Sequence, residues 1–170
     1  MAVIHPSTIA PTKPELLAAW LGGEPEVLGA YRYDDPAGEV GVEAFVVRRD
    51  DELLHAVLTY RGAPLDGATP VTTMEHSVLG ERWVYDGTSD PVALACFERA
   101  LRGEQDQATM ELWRDGAVVE VRASTVTVTR EPGTGSTVAI ARELAAVEPS
   151  DAARLVATWD GGSAVVASLT

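Results

Sequence analysis

The side chains best suited to chemistry crowd into one stretch, from Met74 to Gly87. It supplies Glu75, His76, Glu81, Arg82, Trp83, Tyr85 and Asp86, which together form the candidate binding surface of the chain. Glycoside chemistry needs two carboxylates roughly 5–10 Å apart across a sugar cleft. Glu75, Glu81 and Asp86, with Trp83 and Tyr85 as stacking platforms, are the one constellation that could host a sugar. The plainer reading is architectural: Trp83 and Tyr85 anchor the segment, and Arg82 and Asp86 tie down a corner before the next helix. A metal site would draw on His76 with Glu75, Glu81 or Asp86. His5, His55 and His76 are widely separated, however, and no His-x-x-x-His or Cys-x-x-Cys spacing exists, so neither a metal nor a cofactor is expected. Ser77 beside His76 is no nucleophile elbow, because Gly-x-Ser-x-Gly is absent and neighbours along a strand face opposite ways. No residue is assigned a catalytic role.

Phosphoryl transfer would need a phosphate cradle, a cation on the phosphates, acidic metal ligands and a base. The one Gly-rich loop, Pro132 to Ser136, continues as Thr137-Val138 and lacks the Gly-Lys-Ser/Thr ending of a P-loop. The residues beyond Glu104 are too few for a kinase large lobe, and no His-x-Asp-x-x-x-x-Asn sequence is present. The loop reads as a plain hairpin connection.

The elements that must position these residues are legible from pattern. Residues 1–11 form an extended arm. Thr12 and Glu15 bracket a capping box with Pro14 in the first turn, and Leu16, Leu17, Trp20 and Leu21 follow at helical spacing until Gly22-Gly23. Val27–Tyr33, Val40–Arg48 and Leu53–Tyr60 are strands joined by tight acidic turns, an antiparallel meander. His55 shares a face with Leu53 and Val57 and reads as a satisfied, partly buried imidazole. Asp90 caps a second helix that opens on Pro91. Its core face is Leu94, Phe97 and Leu101, Glu98 and Arg102 pair along it, and Gly103 ends it. Met110–Trp113 and Val118–Arg122 flank the hairpin signal Asp115-Gly116. Ser124–Arg130 alternates Thr against Val as a half-exposed strand, and Val138–Val147 suits strand or helix. Leu155–Trp159 and Ala164–Leu169 flank a hairpin at Asp160-Gly161-Gly162. The fold class is α+β, mainly antiparallel sheet with two short helices, divided into residues 1–104 and a β-rich extension, 105–170, that separates or joins the same compact unit.

The net charge of −13 excludes nucleic-acid binding and docking on an anionic membrane surface. Twelve of the 13 basic residues are Arg, with Lys13 alone, as coding bias in a GC-rich genome would produce. Cys96 is the single cysteine, so no intramolecular disulfide can form, and its apolar helical neighbours make it a core thiol. The N-terminus lacks the basic and apolar regions of a signal peptide, and no run approaches the ~20 apolar residues of a membrane span. A cytoplasmic protein is expected.

Several stretches taken together resemble one family: Met1 to His5, Pro11 to Leu17 with Trp20, Asp35 to Glu43, Leu58 to Leu65, Thr73 to Gly80, Arg82 to Gly87, and Asp90-Pro91. They are similar to the N-terminal cap domain of actinobacterial maltokinases and, more closely, to short stand-alone cap-like proteins that often carry an alpha-glucan branching label. The resemblance covers roughly residues 1–104 and implies a cystatin-like helix-on-sheet form, here a cap without its kinase. Caps of this type usually carry an aromatic pair after the first helix; Gly23 to Val27 has none, which bears on how the chain would seat against a kinase. A branching enzyme needs a large catalytic barrel that 170 residues cannot build. The resemblance implies a non-catalytic interaction module. Its partner would be a kinase or another enzyme of trehalose, maltose or alpha-glucan (glycogen) metabolism. The alternatives are a small-ligand binder for a sugar or sugar phosphate, with Trp83, Tyr85, Glu75 and Arg82 lining the pocket, and a carbohydrate-active enzyme. A homodimer through an unpaired edge strand is a further arrangement open to the C-terminal residues.

Overall fold

The computed structural model describes residues 2–4, 8–114 and 117–170. In chain order the elements are β1 (Ala2–Ile4), β2 (Ile9–Ala10), α1 (Lys13–Leu21), β3 (Glu26–Asp34), β4 (Gly41–Arg49), β5 (Glu52–Arg61), β6 (Pro70–His76) and β7 (Gly80–Asp86). A short 3-10 turn, Gly87–Ser89, leads into α2 (Pro91–Arg102). Then come β8 (Met110–Arg114), β9 (Ala117–Arg122), β10 (Val126–Glu131), β11 (Val138–Ile140), β12 (Arg154–Trp159) and β13 (Gly162–Leu169).

Local signals set the element ends. The Thr12 side chain accepts from the Glu15 N–H, and Glu15 Oε2 accepts from the Thr12 N–H at 2.8 Å, which closes the capping box of α1. Asp90 accepts from the Val92 N–H at 2.9 Å to cap α2, and Gly103 closes it in the left-handed region, φ 76°. The core face of α2 is rotated from the expected one. Ala93, Cys96, Phe97, Ala100 and Leu101 are buried, whereas Leu94 is half-buried.

β2, β6, β7, β5, β4 and β3, in that order, form a six-stranded antiparallel sheet. Its centre is covered on both faces. On one face α1 brings Leu16 and Leu17 onto Phe45, Val47, Leu54, Ala56, Leu58, Met74 and Val84. On the other, Tyr31, Tyr33, Val42, Ala44, Val46 and Val57 meet α2 and the inner residues of a second sheet, Val126, Leu155, Ala157, Trp159 and Val166. That cluster draws on residues from both sides of position 104. The second sheet runs β10-β12-β13-β11, all antiparallel. A third, β1-β8-β9, pairs β1 parallel to β8 and β8 antiparallel to β9. Its Asp115-Gly116 turn, like the His5 to Ser7 part of the arm, lies outside the described residues.

The sheet order corrects one expectation. The loop from Pro132 to Ser136 is no hairpin: β10 pairs with β12, and β11 lies at the opposite edge beside β13. The loop crosses the end of the sheet, and its glycines permit the crossing. A Cβ on Gly133 would meet Ala152 backbone at 2.3 Å, and one on Gly135 would meet Leu169 at 2.4 Å. The ambiguous run Val138–Val147 is a three-residue strand followed by irregular chain that makes one isolated bridge, Glu143 to Leu54. That chain lies on the edge of β5, where His55 N–H donates to Arg142 O at 2.8 Å and Leu144 N–H to Leu53 O at 2.8 Å.

His55 shares its face with Val57, as expected, but it is fully rather than partly buried, 4% exposed and stacked on Tyr31. Its Nδ1 lies 3.0 Å from the Ala141 carbonyl, which can only accept, so Nδ1 carries the proton and Nε2 accepts from Tyr31 Oη at 2.9 Å. Burial lowers the imidazole from 6.5 to about 4, against the Ala141 bond, which raises it. The unfolded chain therefore takes up the proton first as pH falls. The His55 contribution is complete above about pH 6.5 and is lost between there and pH 4, at up to about 1.4 kcal/mol per pH unit. Urea unfolding between pH 7 and 5 should show this slope, and a folded His55→Gln variant should lose it. Tyr31→Phe should cost about 1–3 kcal/mol by orphaning Nε2. Tyr33→Phe should stabilise rather than destabilise, by up to about 1–3 kcal/mol, because it removes a buried hydroxyl that has no protein partner.

Candidate functional site

The candidate residues lie on the β6–β7 hairpin and at its exit, and the pleat divides them. Cross-strand partners are Thr73 with Trp83, Met74 with Arg82, Glu75 with Glu81, and His76 with Gly80. Directly paired residues share a face. Met74, Arg82 and Val84 therefore belong to the α1 face, and Thr73, Glu75, Glu81 and Trp83 to the other. Arg82 and Trp83 are back to back rather than convergent on one ligand.

Tyr85 and Asp86 are interior. Tyr85 is 6% exposed, and its hydroxyl accepts from the Leu65 N–H at 2.8 Å, holding the loop before β6. Asp86, 2% exposed, accepts from Thr88 N–H at 3.0 Å and Thr88 Oγ1 at 2.8 Å, and it forms an ion pair with Arg142. This pair sits where β7 ends and the 141–144 segment takes over the edge of β5. Arg142 was not marked by any sequence motif, because its partner is 56 residues away. The architectural reading of Tyr85 and Asp86 matches this geometry.

A second buried carboxylate completes the corner. Asp90 is fully buried; Arg61 donates to both of its oxygens, at 2.7 and 2.6 Å, and Thr59 Oγ1 donates at 2.7 Å. Burial pushes Asp90 up, but the Arg61 and Thr59 hydrogen bonds and the Val92 N–H bring it below the ordinary aspartate value. On the α1 face, Glu43 has a similar role. It accepts from Lys13 at 2.6 Å, from Arg32 at 2.9 and 3.1 Å and from Tyr60 at 3.0 Å. Burial opposes its charge, yet Arg32 and Lys13 hold it below the ordinary glutamate range.

The water-facing part of the stretch is the hairpin tip. Glu75 and Glu81 are exposed, His76, Arg82 and Trp83 are half-buried, and between them Val78 and Leu79 are 55% and 49% exposed. His76 shapes the tip: its Nδ1 accepts from Val78 N–H at 3.2 Å and Leu79 N–H at 3.1 Å. Arg82 donates to Leu79 O at 2.8 Å from the other arm. These three bonds fix the turn that leaves two apolar side chains out in water. The signal for this was in the sequence, as an apolar pair between Ser77 and Gly80 where a turn is otherwise polar.

Residues 19–90 match the maltokinase N-terminal cap domain. The match runs from the end of α1 through β3–β7 to Asp90, a narrower span than the 1–104 implied by the resemblance. It supports a cap-like domain over those residues and encloses the β6–β7 tip and both corner carboxylates. Comparison with curated proteins and with solved structures gave no match. Among the described residues, no group of three or more His, Cys, Asp or Glu could hold a metal ion, and no helix is long and apolar enough to cross a membrane. A cavity of about 60 Å³ beside Tyr33, Gln105, Gln107 and Arg130 touches none of the candidate residues.

Breaking either corner ion pair tests this account. Asp90→Ala leaves Arg61 without its partner and uncaps α2, and should cost about 3–5 kcal/mol in urea unfolding. Arg142→Ala should cost less, since Asp86 keeps both Thr88 donors and more than half of the Arg142 side chain already faces water.

Proposed function

We propose that this chain is a non-catalytic, cap-like module that acts by protein contact through the tip of the β6–β7 hairpin. In this reading residues 105–170 complete the cover of the cap sheet rather than forming a separate unit. The observation that carries the proposal is the Val78-Leu79 pair, held in water by His76 and Arg82 within the stretch that matches the cap domain. Two exposed apolar side chains ringed by Glu75 and Glu81 suit a partner with a small apolar recess and a basic rim. A kinase, or another enzyme of trehalose, maltose or alpha-glucan metabolism, is the partner class that a cap would serve. The setting proposed is the cytoplasm.

The sugar-pocket arrangement has less support, since Arg82 and Trp83 face opposite ways and the Tyr85 hydroxyl is already engaged. Titration calorimetry with purified enzymes of these pathways, including a maltokinase stripped of its own cap, tests the proposal. The expected result is binding to one of them that Val78→Ser/Leu79→Ser weakens at least tenfold, about 1.4 kcal/mol, without loss of fold. Absence of binding to all of them, or equal binding by the variant, would contradict it.

A further inference from the structure

We propose that β9 is a self-association edge, through which two copies of the chain join their three-stranded sheets into one six-stranded sheet. β9 is the outer strand of its sheet, and all six of its residues are exposed. Of the six large apolar side chains exposed among the described residues, three lie on it: Val118, Val119 and Val121, at 42, 50 and 62%. The strand contains no Pro and no Lys; what guards the edge is the pair Glu120 and Arg122 and the bulge at Val119. Such a strand presents a row of backbone donors and acceptors beside an apolar surface.

The occupant that fits is a second β9. Two identical antiparallel strands pair about a two-fold axis perpendicular to the sheet, and directly opposed residues must share a face. Only registers centred on a residue satisfy this. Centring on Glu120 sets two carboxylates against each other, and centring on Arg122 sets two guanidiniums together. Centring on Val121 places Val121 against its copy and Glu120 against Arg122 of the other chain, twice by symmetry. Within one chain Glu120 and Arg122 already pair at 2.9 Å, half-exposed, on the same face. The cross-strand pairs replace that contact with the same chemistry. The bulge in β9, where Val119 has no partner on β8, lies outside these three central pairs.

Charge supports the choice of a second copy. The chain carries −13, so two copies repel over most of their surface, but β9 holds one Glu and one Arg and is neutral. A three-stranded sheet is near the smallest that is stable by itself, so one whose outer strand is exposed on both faces gains from extension.

Sedimentation equilibrium of the full chain and of charge variants is the test, with circular dichroism to verify folding. The wild type should dimerise with rising concentration. Glu120→Arg and Arg122→Glu should each be monomeric, since each opposes like charges across the axis. Mixed one to one, the two variants should form a heterodimer, and the double exchange Glu120→Arg/Arg122→Glu should dimerise like the wild type. A wild type that stays monomeric throughout overturns the proposal. So do single variants that dimerise as well as the wild type, or a mixture of monomeric variants that fails to associate.

Discussion

The structure depends on one constraint: the centre of its main sheet is apolar on both faces. Along β4, Val42, Ala44 and Val46 look one way while Phe45 and Val47 look the other, and all five are buried. β5 repeats the pattern with Val57 against Leu54, Ala56 and Leu58. Such a sheet needs two covers. Nine-residue α1 supplies one with Leu16 and Leu17. The twelve-residue α2 covers only part of the other face, and the inner side of β10, β12 and β13 covers the rest.

Charged groups inside this frame fix where the covers sit. Glu43 is a carboxylate in an apolar strand, tolerable because Lys13 from the start of α1 and Arg32 from β3 both reach it. It thereby sets the position of α1 on the sheet. On the opposite face Asp90 ties the start of α2 to β5 through Arg61 and Thr59. Asp86 ties the end of β7 to the 141–144 segment through Arg142. The β6–β7 hairpin is therefore anchored at its exit, and β2 pairs with β6 at Glu75 and His76 beside its tip.

Local signals were read correctly wherever a few neighbouring residues decide the outcome. The Thr12–Glu15 box, Asp90-Pro91, the Asp160-Gly161 turn and the Glu98–Arg102 pair all act within one turn of chain. Alternation also worked for β10, where Val126 is buried and Thr127 and Thr129 are exposed. What escaped was non-local. Nothing near Pro132–Ser136 states that β12 intervenes between β10 and β11. Nothing near Glu43 announces Lys13 and Arg32 as partners. At the candidate site, seven residues read as one surface divide into an interior pair, Tyr85 and Asp86, and a hairpin tip. Strand parity separates Arg82 from Trp83 once the hairpin is recognised, but recognising it required the pairing of β6 with β7 and β5.

The dependence of the cap-like sheet on the C-terminal sheet is the central claim, and native-state hydrogen exchange on a Leu155→Ala variant tests it most directly. Leu155 is 2% exposed and lies in the cluster shared by β3–β5, α2 and β12. Its truncation should cost about 2–5 kcal/mol. If the second sheet is an integral cover, the slowest amides of β4 and β5 will lose the same protection free energy as those of β12 and β13. Loss confined to β12 and β13, with β4 and β5 unchanged, would contradict the account.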